Sequence, residues 1–127
     1  MLAMTREWVT KAEGDYDVVL LLLRSRKRSR LDAIAFHCQQ CAEKYLKALL
    51  TEESVAFPKT HDLFELLKLL LSIEPGWSNL GSALSALSDH AVLPRYPRMH
   101  VQQEQVKRSV ATCRSIRKRI RGRFGLK

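Results

Sequence analysis

Glycine and proline are scarce in this chain, five and four among 127 residues. So few breakers favour long helices over an architecture of many short strands and tight turns. Long apolar runs are missing too. The longest, Val18 to Leu23, is far too short to cross a bilayer, and Met1 to Val9 lacks the basic start and apolar middle of a signal peptide. We therefore expect a cytoplasmic protein with no membrane contact. Cysteines number only three, an odd count that argues against a secreted disulfide framework. Cys38 and Cys41 form a CxxC, but at steps that place them inside a helical seam, so they are read as small apolar core fillers. No metal and no cofactor is assigned. Acids are absent after Glu104, where Lys107, Arg108, Arg114, Arg117, Lys118, Arg119, Arg121, Arg123 and Lys127 follow. The whole net charge of +9 thus lies at the C-terminal end, since earlier residues balance.

Hydrophobic residues make up 46% and charged residues 28%, the composition of a globular chain, and the length suits one domain over residues 1–127. The organising stretch is FHCQQCAEKYLKALL, Phe36 to Leu50. Ile34, Cys38, Cys41, Tyr45 and Ala48/Leu49 recur at steps of three or four, which predicts a helix with a narrow buried stripe. Gln39, Gln40, Glu43, Lys44 and Lys47 are expected to form its broad polar surface.

A first helix is predicted from Thr5, as N-cap, to about Arg24, with Trp8, Ala12, Asp15, Val19 and Leu22 inward. Asp15 breaks that apolar line, so it needs a partner on another helix or a place at the stripe's edge, unless it takes a direct part in chemistry. Arg24 to Arg30, RSRKRSR, closes the first hairpin and offers Arg24, Arg26, Lys27, Arg28 and Arg30 to a polyanion. The second helix runs from about Leu31 or Asp32 to Glu53. Thr60 is the expected N-cap of a third, reaching Ile73 before Glu74-Pro75-Gly76 stops it. A shorter helix spans Ser78 to about Ala91, and Pro94 and Pro97 keep Val92 to Arg98 out of regular helix. The last runs from about Val101 to Arg123.

The prediction is an all-α, up-and-down bundle of four long helices plus a shorter fifth. If the short helix is an appendage, Arg95, Arg98 and His100 lie at the same end as the Arg24–Arg30 loop. If it is a full member, they lie at the opposite end. The basic C-terminal stripe, with Arg117 and Arg121, can meet phosphates or be a solvated face.

Arg95 and His100 are the one spacing that suggests catalysis. Histidine can take the proton of a ribose 2′-hydroxyl, and arginine can hold the phosphate. One copy supplies one acid/base group, so a symmetric dimer would supply two. His37, His61 and His90 are read as structural, with His61 capping or packing at a helix start.

In the order of its parts the chain resembles the HEPN family, the helical domains named for higher eukaryotes and prokaryotes nucleotide-binding. The parts are Trp8, Ala12, Glu13 and Asp15 on the first helix; Gln39, Gln40, Glu43, Lys44 and Lys47 on the second; Thr60-His61-Asp62-Leu63 opening the third; and Arg95-Tyr96-Pro97 before the last. The resemblance implies a dimerising four- or five-helix bundle, often encoded beside a minimal nucleotidyltransferase, with a toxin or antitoxin role in many members. Ribonuclease members carry R-x4-6-H, which maps onto Arg95 as phosphate binder and His100 as acid/base. Their residue after the arginine is usually polar, whereas here Tyr96 and Pro97 follow. Three functions are expected: a dimeric nucleotide- or nucleic-acid-binding module, using Lys44 and the arginines above, with a nucleotidyltransferase partner; a metal-independent RNA endonuclease; or a protein-interaction module that binds no phosphate.

Overall fold

A computed structural model describes residues 1–127 as an all-α fold of five helices: α1 (Ala3–Leu23), α2 (Arg30–Glu52), α3 (Leu63–Leu70), α4 (Gly81–Val92) and α5 (Gln103–Arg123). Short 3-10 turns cover Pro75–Leu80 and Leu93–Arg95. The helices sit where the spacing predicts, with three differences. Three helices are long rather than four, because α3 ends at Leu70 once the chain folds back through Ile73 N–H and Glu74 N–H to the Leu70 carbonyl. Thr5 is not a cap; it lies buried within α1. Asp62, not Thr60, caps α3, its carboxylate accepting from the N–H groups of Phe64 and Glu65. Thr60 supports that cap from one turn back, accepting from Asp62 N–H and donating to Glu65.

The central helix is α2. Its predicted seam is buried throughout, Ile34, Cys38, Cys41, Tyr45, Ala48 and Leu49 all being sealed from solvent. The stripe is wider than expected. Gln39, Glu43 and Lys47 are buried as well, because α1, α5 and the α3–α4 pair wrap the helix on several sides. A helix covered this way cannot keep a broad polar surface, and the buried polar groups must find one another. Gln39 donates to Glu43 at 3.0 Å, and Lys47 pairs with the same carboxylate at 3.1 Å. His61 donates its Nδ1–H to Glu43 from outside at 2.9 Å. Burial raises the Glu43 carboxyl, but these three donors outweigh it and hold the group below the usual carboxylate value.

The direction of the chain is set by the segment between α2 and α3. It runs back along α2 until the His61 carbonyl accepts from Gln39 at 3.0 Å. From there α3 descends beside α2, and α4 returns antiparallel to it, with the α3 Leu63 N–H donating to Ser88 near the far end of α4. Accordingly α5 begins at the same end as α2 and runs parallel to it. At the far end Arg123 reaches Glu53, at 2.6 Å, and Glu74.

Against α1, α5 is antiparallel, and the seam between them is ionic. Arg117 grips Glu13 at 2.7 and 2.8 Å, Arg121 approaches it at 3.4 Å, and Tyr45 donates to it at 2.6 Å. Partial burial raises Glu13, yet Arg117, Tyr45 and Arg121 together hold its carboxyl below the usual value. Burial and the Glu13 charge push the Tyr45 hydroxyl up. No helix is long and apolar enough to cross a membrane.

Candidate nucleic-acid interface

Because α2 and α5 start side by side, the cationic loop and the segment before α5 meet at one end. Between them lies a cleft of about 720 Å³. Arg26, Arg28 and Arg30 form one wall, and His100, Gln102 and Gln103 form the other. The short helix α4 is no appendage, since it packs on α2, α3 and α5 with Leu84 and Leu87 in the core; the two segments still share an end because the non-helical return before α3 makes an additional reversal.

At the floor of the cleft stands Asp32, in the first turn of α2. One carboxylate oxygen accepts from the His100 ring at 3.0 Å, and the other accepts from Val101 N–H at 2.9 Å. An ionised carboxylate only accepts, so the ring proton sits on Nδ1 and Nε2 is left free. The His100 side chain is 72% exposed. The imidazole is held at one corner and open at the other.

One turn further along α2, Phe36 carries the Arg95 guanidinium 6.0 Å above its ring. Residues 96–99 arch between these two contacts, exposed to solvent, with Arg98 in the left-handed region at φ 68°. Arg95 does not line the cleft, but its anchor and that of His100 are four residues apart on one helix, about 6 Å of rise.

The remaining predicted residues divide. Arg24 and Lys27 are exposed in the cationic loop, and Arg98 is exposed on the arch. Lys44 is turned inward, 2.5 Å from Asp15, which also accepts from His37 at 2.8 Å. That answers the question of Asp15: it has partners on α2, and its side chain is 11% exposed. Arg117 and Arg121 are committed to Glu13. His90 faces Ser109, and burial together with Arg108 lowers its pKa despite Asp89. Cys38 and Cys41 of α2 meet Cys113 of α5 in the core, where the Cys113 sulfur and burial push both α2 thiols up.

Asp32 and Gln103 were not picked out by spacing. Asp32 lies 68 positions from His100, and only the shared end of α2 and α5 joins them.

Comparison with known proteins agrees with this architecture. The family model described as "HEPN domain" matches residues 5–123. Among curated proteins, "Putative toxin MJ1304" of Methanocaldococcus jannaschii is 31% identical over 96 residues, covering 71% of this chain and 61% of that protein. The chain thus spans about three fifths of that relative's length. No solved structure matches it. With the family model covering nearly the full length, from α1 to the last turn of α5, the chain belongs to the HEPN family.

Proposed function

We propose that this chain is a cytoplasmic, single-domain, toxin-type nucleic-acid-binding protein that acts as a dimer and cuts RNA without metal through Arg95 and His100. The observation that carries this reading is the His100 ring, fixed through Nδ1 by Asp32 at the edge of a cleft walled by three arginines. The arginines bind the backbone phosphates. Nε2 of His100 takes the 2′-hydroxyl proton, and the freed oxygen attacks the adjacent phosphorus. The P–O5′ bond breaks, and the departing oxygen receives the Nε2 proton of the second copy's His100, which enters the step as the imidazolium and leaves it neutral. Arg95 balances charge on the phosphoryl oxygens as the arch closes on the strand. The products are a 2′,3′-cyclic phosphate and a 5′-hydroxyl.

The dimer enters because one copy carries one such histidine and the reaction uses an acid and a base. A minimal nucleotidyltransferase is the partner that the family resemblance implies, and the naming of the archaeal relative as a toxin supports a paired system. A second reading keeps the dimer and the phosphate cleft but no cleavage. It is favoured by Arg95, which rests on Phe36 rather than in the cleft, and by the Tyr96-Pro97 pair after it.

Incubation of the protein with mixed RNA in EDTA tests the proposal. Cyclic-phosphate ends that vanish in Arg95→Ala and His100→Ala, both folded, are the expected result. Strands that are bound but uncut favour the second reading. Folded protein that neither binds nor cuts RNA leaves the phosphate-free interaction module.

A further inference from the structure

Beside the cationic cleft is a second concavity of about 320 Å³, between the end of α1 and the starts of α2 and α5. Its walls are apolar, Leu23, Leu31, Val106, Val110 and Ala111, with the sealed Ile34 behind them. The two spaces adjoin, for Arg30, Leu31 and Gln103 line both. Around the groove stand Arg30, Lys107 and Arg114, with no carboxylate among the lining residues.

We infer that this groove seats a nucleobase, so that cleft and groove together take one nucleotide unit of a single-stranded RNA. The inference rests on the reading that the cleft binds phosphate. A nucleotide unit has the required shape, an anionic end joined to a flat body with apolar faces and a polar rim. The faces lie between the Leu31 side and the Val106–Val110 side. The rim meets the Gln103 amide, which both donates and accepts. An acidic, apolar protein segment would also match the charges. The small volume and the position beside the phosphate cleft favour the base.

Two fluorescent 2′-O-methyl pentamers, one with bases and one abasic, carry the same charge and resist cleavage, and their affinities test the inference. The strand with bases is expected to bind at least about tenfold tighter, as the apolar faces of a base leave water. Ala111→Leu, at an exposed helical position that fills the groove, should remove that difference and leave abasic binding intact. Methyl signals of Val106 and Val110 should move with the base-bearing strand alone.

Equal affinity for the two strands, lost for both in Arg28→Ala, overturns the base seat and leaves the phosphate cleft standing. Absence of binding to either strand removes the phosphate reading and the base seat with it. Dissociation of an oligomer by Ala111→Leu, with RNA affinity unchanged, reassigns the groove to protein contact and also overturns the inference.

Discussion

Asp32 holds two groups at once, the imidazole of His100 at 3.0 Å and the backbone N–H of Val101 at 2.9 Å. The first bond sets which nitrogen of the ring is free, and the second pins the chain where α5 is about to begin. Orientation of the ring and position of its backbone therefore depend on a single carboxylate.

Replacing Asp32 separates these roles. Asp32→Asn keeps an acceptor for Val101 N–H but weakens the hold on the ring tautomer, and cleavage should fall by about 10²-fold with RNA affinity within about twofold. Nitrogen NMR of the imidazole is the independent check: the native ring should carry its proton on Nδ1, and the variant a mixture. An unchanged tautomer in the variant would rule out this role for Asp32.

Salt dependence distinguishes the arginines. Arg26, Arg28 and Arg30 line the cleft, so each alanine variant should lower the slope of log affinity against log salt by about one. Arg117→Ala should leave that slope unchanged, since the side chain is bound to Glu13. Its effect should appear in urea unfolding instead, as a loss of about 1.5–3 kcal/mol, the range for a hydrogen bond to a charged group.

Glu43→Ala tests the interior of α2. It leaves Lys47 charged and buried without its carboxylate, and takes from the buried Gln39 amide one of its two acceptors, the His61 carbonyl remaining. The expected loss is about 3–5 kcal/mol, as for breaking a buried ion pair from one side. Glu43→Gln, which keeps an acceptor, should cost less, and thermal unfolding of the two variants measures the difference.

Acid stability follows from Glu13 and Glu43. Both carboxyls are held below their ordinary value of 4.5 in the folded chain. The unfolded chain therefore binds protons first as pH falls, and folding stability contributed by these groups is complete above that value. It should decline as pH drops from about 4.5 through their lowered native values. Urea midpoints across pH 3 to 7 should be level in the upper part and fall in the lower, with the fall reduced in Glu13→Gln.

What could be read from the chain beforehand follows from the range of each interaction. The seam of α2 and the breaks at Pro58, Pro75, Pro94 and Pro97 are local, and they place the helices to within a few residues. The cap of α3 was misplaced by two residues because Thr60 and Asp62 are both good caps, and only geometry decides between them. Gln39, Glu43 and Lys47 step by four along the helix, a row that suits exposed ion pairs as well as a buried network. Their burial depends on how many neighbours cover α2, which lies outside any single stretch. The Glu13 pairs to Arg117 and Arg121 span more than a hundred residues, and they turn part of a basic stripe into a structural seam. Membership of the cleft depended on the direction of α5, and that direction was set by a segment with no helical pattern.

The arch from Arg95 to His100 stands on Phe36 and Asp32, so its two feet are spaced by the rise of α2 and not by the residues between them. A helix keeps that spacing while the span above it changes length. One or two residues added at the exposed crown around Arg98 would make a taller arch on the same footings, leaving arginine and histidine where they are. Divergence in loop length is thereby uncoupled from divergence in chemistry, and α2 acts as the ruler for both.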